Sequence, residues 1–214
     1  MAITDKKTGV WGLDQVYNKK MQGGIWRVDH ASPLLFVWGR NNESNSNGDL
    51  GLNDGTHRSS PVQLPGTTWN IFNSSTYGGN TIIGRTDGTL WMWGLNNEGQ
   101  IGQNSVTGGY SGPSSPVQLP GTTWTFGTGA GMATKTDGTL WAWGYNSRGV
   151  LGQNNRTDRS SPVQIPGTNW ATGRRKFTRG YETITAIKTD GTLWSWGSNS
   201  YGQLGLSQAA IQRS

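Results

Sequence analysis

Short apolar runs alternate with clusters of turn-forming residues along this chain, and the runs recur almost unchanged. TDGTLWMWG at 86–94, TDGTLWAWG at 136–144 and TDGTLWSWG at 189–197 are three copies of one pattern, and SPLLFVWGR at 32–40 is a weaker fourth. In TLWMW, Trp91 and Trp93 lie two positions apart and share one face of a strand, while Leu90 and Met92 point to the other. Both faces are apolar, as expected of a small sheet sandwiched between two neighbouring sheets. The pairs Asp87-Gly88, Asp137-Gly138 and Asp190-Gly191 each sit between two strand-like runs, such as TIIGRT and TLWMW. They predict hairpins closed by a primed turn with positive φ, with the aspartates as turn residues.

The second tryptophans, Trp38, Trp93, Trp143 and Trp196, recur at intervals of 55, 50 and 53 residues. Periods of this size belong to propellers and solenoids. A second block accompanies the first: SSPVQLPGTTW at 59–69 and 114–124, and SSPVQIPGTNW at 160–170, with no fourth copy. Its prolines suit an exposed outer strand, because proline cannot donate to a ladder. Between the two blocks lie runs of Asn, Ser and Gly that predict compact surface loops. From Trp to the Pro of SSPVQ the spacing is 23, 23 and 19 residues, so the first two units carry a four-residue insertion on one rim. Insertions on one rim of a repeat array mark a contact face.

Residues 1–24 do not follow the repeat. Val10, Leu13, Tyr17 and Met21 fall three or four apart and sketch one side of a short amphipathic helix, with Gly12 weakening it. Two readings stay open: an ordered leader packed on the first blade, or a docking peptide that uses Val10, Trp11, Leu13, Tyr17 and Met21.

Composition adds limits. A length of 214 residues fits one large all-β domain. The hydrophobic fraction is only 32%, so 12 Trp must carry much of the core, and 34 Gly disfavour long helices. A net charge of +6 favours anionic partners in general, but no long basic run or nucleic-acid motif accompanies it, so nucleic-acid binding is not expected. There is no Cys, which removes disulfides, thiolate metal sites and a cysteine nucleophile. No apolar run approaches the roughly 20 residues needed to span a bilayer, and MAITDKKTGVWG lacks the apolar core of a secretion signal. Neither His30 nor His57 has metal or triad spacing, and loop carboxylates such as Glu43, Asp49 and Glu98 belong to no glycosidase motif. No catalytic, cofactor or metal residues are expected.

DGTLWxWGxNxxGQLG followed by SSPVQxPG resembles the repeat of the regulator of chromosome condensation family, over about residues 25–208. The resemblance implies propeller blades. Members of that family form seven-bladed rings and include exchange factors for small GTPases and a secreted inhibitor of β-lactamases. This chain has about three and a half repeats, so one copy does not close such a ring. An open arc of four blades, a smaller closed ring and a ring completed by partner chains all remain, with an arc whose ends are covered by partners as the preferred expectation. The fold class is therefore all-β: a propeller-like array of about four blades after a short leader, with a tail at 209–214. TDKKTGVWGLDQVYNKK, with GGIW soon after, is similar to the opening of marine tailed-phage structural proteins, in which an N-terminal anchor precedes repetitive domains.

These readings set the expected function. The leading one is a non-catalytic phage virion protein, a tail-fibre or other appendage component made in the host cytoplasm. It would dock on other virion proteins through residues 1–24, assemble as a homo-oligomer such as a trimer, and meet a host-surface receptor or glycan. A soluble propeller that regulates or inhibits an enzyme is the alternative, and a carbohydrate-binding module is the third. Candidate interaction residues are those that vary on the constant frame: Arg40, Leu95, Tyr145 and Ser198 after each Trp-Gly, and Arg148 and Tyr201 in the same loops. Arg174, Arg175, Lys176 and Arg179 in GRRKFTRG form a basic cluster that is read either as a site for an acidic partner or as a solvated loop between blades.

Overall fold

The computed structural model describes residues 34–41, 48–74, 79–109, 111–173, 176–180 and 182–205; the docking residues Val10, Trp11, Leu13, Tyr17 and Met21 lie outside them. The described residues form strands and turns without a helix. Strands β1 (Phe36–Gly39) and β2 (Arg58–Gln63) form a two-stranded sheet. A four-stranded antiparallel sheet follows in the order β3 (Trp69–Ser74), β4 (Asn80–Arg85), β5 (Leu90–Gly94) and β6 (Val117–Gln118). The next contains β7 (Trp124–Thr128), β8 (Met132–Lys135), β9 (Leu140–Gly144) and β10 (Arg159–Gln164). The last has three strands, β11 (Phe177–Arg179), β12 (Thr183–Ile187) and β13 (Leu193–Gly197). Each full sheet is a meander of adjacent antiparallel strands, the form of a propeller blade. No strand pairing joins the last sheet to the first among the described residues, consistent with an incomplete ring.

The TLWxW runs form β5, β9 and β13, and the SSPVQ runs form the outer edge strands β2, β6 and β10. Each outer strand leads into an apolar residue that donates its N–H to the leucine of the neighbouring run: Leu64 to Leu35, Leu119 to Leu90 and Ile165 to Leu140, at 2.7–2.8 Å. The fourth sheet has no such outer strand among the described residues, and its Leu193 is 67% exposed where Leu90 is 1% and Leu140 is 0% exposed.

The hairpin turns differ from the primed type expected. Gly88 N–H donates to Arg85 C=O at 3.1 Å, Arg85 N–H donates to Thr89 C=O at 2.9 Å, and only Gly88 has positive φ (79°). The loop is therefore three residues long, Thr86, Asp87 and Gly88, with glycine alone in the left-handed region, as in a hairpin ending in a glycine bulge. Lys135–Thr139 and Lys188–Thr192 repeat it. The physical reason is that Asp87, Asp137 and Asp190 keep ordinary φ and use their carboxylates instead: each Oδ1 accepts from the N–H and the hydroxyl of the threonine two residues on, at 2.6–3.0 Å.

The core lies between sheets. Ile82, Leu90, Met92, Ile101 and Leu119 of the second unit pack with Trp124, Ala133 and Trp143 of the third. Phe126, Met132, Leu140, Leu151 and Ile165 of the third pack with Trp170, Phe177, Ile184 and Trp196 of the fourth. Burying such side chains contributes about 1.5–3 kcal/mol each, so it is the stacking of neighbours that stabilises each blade.

Candidate interaction surface

The loops after each Trp-Gly are built on a buried asparagine. Asn41, Asn96, Asn146 and Asn199 are at most 2% exposed. Each Oδ1 accepts the N–H of the apolar loop residue that follows, Leu50, Ile101, Leu151 or Leu204, at 2.7–3.1 Å. Asn146 also donates to the carbonyls of Asn155 and Thr157, both at 3.0 Å, and Asn41 to those of Asp54 and Thr56. An amide with one acceptor and two donors satisfies both ends of a turn at once, which fixes the loop without regular secondary structure. The sequence reading treated these asparagines as surface turn-formers; their constant place two residues after each Trp-Gly was the available signal.

On that frame the sequence candidates separate. Arg40 and Lys176 are exposed, Tyr201 is 90% exposed, and Tyr145 and Arg148 are partly buried. Arg148 Nε lies 3.2 Å from Glu182 Oε1 and joins the third unit to the fourth. Leu95 and Ser198 are buried, at 9% and 0% exposure, so neither presents a side chain on the rim. Arg174 and Arg175 lie outside the described residues. Arg179 points inward and is not part of an exposed basic patch. Its guanidinium donates to the carbonyls of Gly131 (2.9 Å), Trp143 (2.8 Å) and Tyr145 (2.9 Å), all in the preceding unit. Burial lowers its pKa to about 10, opposed by the charges of Glu98 and Asp158. Glu98 is the counterpart: burial and Asp158 push its carboxyl up, and Arg179 pulls it down. The charged residues of this rim therefore hold neighbouring units together.

A further repeated device was not read from the sequence. Arg85, Lys135 and Lys188, each just before a Thr-Asp-Gly turn, lie between two indoles. The cation is 4.3 and 4.2 Å from the rings of Trp69 and Trp91, 4.6 and 4.3 Å from Trp124 and Trp141, and 5.0 and 4.5 Å from Trp170 and Trp194. Each contact contributes about 0.5–2 kcal/mol. The second indole is held in turn by its N–H to the turn threonine: Trp91 to Thr89, Trp141 to Thr139, Trp194 to Thr192, at 2.8–3.0 Å. The signal was a basic residue six positions before the first tryptophan of each TLWxW run; its distance from the other tryptophan varies, at 16, 11 and 18 residues.

The turn carboxylates carry a pH dependence. Hydrogen bonds from the threonine hydroxyl, then from its N–H, hold Asp87, Asp137 and Asp190 below the usual carboxylate range. A depressed folded pKa stabilises the fold above the unfolded value, about 3.9, and that stabilisation is lost as pH falls through the folded values. The urea midpoint is expected to drop as pH is lowered below about 4, and replacing all three aspartates with asparagine should flatten the drop.

Among the described residues no group of three or more His, Cys, Asp or Glu side chains is placed to hold a metal ion, and no helix is long and apolar enough to cross a membrane. Trp69, Trp93, Trp124, Trp143, Trp170 and Trp196 are buried and form no open platform for sugar stacking; Trp38, at 55%, and Trp194, at 49%, are the exposed indoles among the described residues.

Two family models, each described as "Regulator of chromosome condensation (RCC1) repeat", match residues 137–174 and 180–203. No curated protein matches the chain. Among solved structures, human WBSCR16 is similar at 20% identity and TM-score 0.58, over 86% of this chain and 47% of that one. Prp20p from Saccharomyces cerevisiae, described with its binding properties to Gsp1p and histones, is similar at 16% identity and TM-score 0.63, over 84% of this chain and 44% of that one. Yeast RCC1 (Prp20), described with Kap60 bound to it, is similar at 19% identity and TM-score 0.58, over 86% and 44%. The chain thus spans less than half the length of the solved structures it matches.

Proposed function

We propose that the chain, whose residues 137–174 and 180–203 match the regulator of chromosome condensation repeat, is a non-catalytic protein-binding module. The observation that carries this is the division of labour within its repeats. The second tryptophans Trp93, Trp143 and Trp196 and the loop asparagines Asn41, Asn96, Asn146 and Asn199 are constant and buried, while the exposed residues of the loops and edges, Arg40, Lys176 and Tyr201 among them, differ from unit to unit. A rigid scaffold with a varied, partly aromatic and basic surface suits recognition of another protein. The descriptions of Prp20p, with Gsp1p, histones and Kap60, support the same reading by analogy of fold. In a cross-linked pull-down from the organism or particle that carries the chain, we expect a protein captured by the wild type and lost when Arg40, Lys176 and Tyr201 are all changed to alanine. Capture of nothing, or capture indifferent to these changes, would sink the proposal.

The finer assignment is to a phage virion, as an appendage component anchored through residues 1–24. It is supported by the resemblance of the leader together with the near-identical repeats and the incomplete number of repeats. Antibodies against residues 1–24 and against the repeats, applied to purified particles in the electron microscope, test it: discrete labelling at tail or capsid supports it, and unlabelled particles remove it.

A further inference from the structure

One indole in each of three units is left without a hydrogen-bond acceptor. Trp91, Trp141 and Trp194 donate to turn threonines, and Trp93, Trp143 and Trp196 donate to carbonyls in the loop of the preceding unit. Trp69, Trp124 and Trp170 are 5%, 4% and 3% exposed, yet their buried Nε1 atoms meet no acceptor among the described residues. Buried donors are nearly always paired, so the same exception at the same place in three units points to an acceptor supplied from outside the chain.

Beside each of these N–H edges lies the exposed glycine of a Pro-Gly turn, Gly66, Gly121 or Gly167, with φ of 107°, 95° or 97°. Apart from its chain neighbours, the atoms nearest to where a Cβ would stand on that glycine belong to the cation and the indole edge. They include Arg85 Nη2 (3.0 Å) and Trp69 Nε1 (3.5 Å) at Gly66, Lys135 Nζ and Trp124 Nε1 (both 3.7 Å) at Gly121, and Lys188 Nζ (3.6 Å) and Trp170 Nε1 (4.0 Å) at Gly167. No oxygen is among them. In the second unit Arg85 Nε is a further buried donor without a partner among the described residues. Each turn is pinned by a bond to the carbonyl of the residue before the tryptophan: Thr86 to Thr68, Thr136 to Thr123 and Thr189 to Asn169, at 2.8–2.9 Å. The ion pairs among the described residues are Arg58 with Asp54 and Arg148 with Glu182, so none of the three cations is in one.

We infer that each of these Pro-Gly turns, with the buried indole N–H and the cation beside it, is a site for a small monovalent anion such as chloride, one in each of the three units. An indole N–H and an ammonium or guanidinium can only donate. A water between them would accept from both and have no oxygen among the nearest atoms to receive its own hydrogens, whereas an anion accepts from both and offsets the charge of the cation. The missing side chain of the exposed glycine leaves the two donors uncovered and gives entry from solvent. The charge of the site selects the ligand: one cation, with the turn aspartate Asp87, Asp137 or Asp190 two residues on, suits a monovalent anion better than sulfate or phosphate.

Indole N–H resonances of the full-length chain, followed by NMR as chloride replaces gluconate at fixed ionic strength, test the inference. Of the 12 indole signals, those of Trp69, Trp124 and Trp170 are expected to shift along a saturating curve while the others stay in place. Lys135→Met keeps an apolar stem between the rings and removes the charge. It should weaken the chloride response of Trp124 at least about tenfold, the equivalent of about 1.4 kcal/mol, and leave those of Trp69 and Trp170 unchanged, which also shows that the variant is folded. Lys135→Arg restores the residue type of the second unit and should keep the response. Crystals grown in bromide should show anomalous peaks within hydrogen-bonding reach of the same three nitrogens. No saturating indole shift, a Trp124 response indifferent to Lys135→Met, water without an anomalous signal at these nitrogens, or bromide in the crystal without a response in solution, an adventitious ion only, overturns it. Partner capture is a separate readout, so failure here leaves the protein-binding reading to its own test.

Discussion

Trp143→Ala will destabilise the protein by about 3–5 kcal/mol, the range for removing a fully buried aromatic side chain. Trp143 is 0% exposed, its N–H donates to Gln100 C=O at 2.7 Å, and its ring lies over Gly102 in the core shared by the second and third units. The change leaves a cavity, unpairs a carbonyl inside it and cuts the tie between two blades. In a quasi-linear array the loss is felt at that interface first, so chemical denaturation should become less cooperative as well as shift its midpoint. Trp143→Phe keeps most of the ring volume and is expected to cost less than alanine. Trp38→Ala, the same position in the first unit, removes a side chain that is 55% exposed and should change stability by no more than about 0.5 kcal/mol. If the two alanine variants were equally stable, the reading of these tryptophans as joints between blades would be wrong.

Arg179→Ala is expected to cost about 3 kcal/mol, far more than the roughly 0.5 kcal/mol of an exposed basic residue. Three carbonyls of the preceding unit lose their charged donor, and Glu98 and Asp158 lose the cation that faces them. Because the guanidinium is partly buried and bonds three carbonyls, most of the loss should persist at about 1 M salt, where an interaction between exposed charges would be screened. Its pH dependence follows from Glu98. Burial and Asp158 already raise that carboxyl, and removing Arg179 raises it further. The penalty is present where Glu98 is ionised and shrinks as pH falls through its raised pKa, so the deficit of Arg179→Ala should be smaller at mildly acidic pH than above neutrality. Chemical denaturation at both pH values and both salt concentrations measures this; a deficit near 0.5 kcal/mol that vanishes in salt would restore Arg179 to the surface.

The sequence by itself determined the units, their order and their edges. A hairpin turn, a proline-bounded edge strand and the period of two in TLWxW are decided within a few residues, by φ preferences and by side-chain alternation, and so they stand in the primary structure. Even there the turn type was misread, because the choice between a primed turn and a glycine bulge depended on where the Asp87, Asp137 and Asp190 carboxylates found their donors. Whether a given residue is buried was decided only by tertiary structure. Leu90, Leu140 and Leu193 occupy the same place in near-identical segments, yet Leu193 alone is exposed, since burial belongs to the strand or blade laid against a residue and the fourth unit lacks its outer strand among the described residues. For the same reason Leu95 and Ser198, variable in sequence and so candidates for a surface, turn inward, and Arg179 of the basic cluster bonds carbonyls of the preceding unit, while the buried asparagines of the loops looked like ordinary turn-formers. Local conformation is a property of the segment; exposure is a property of its neighbours.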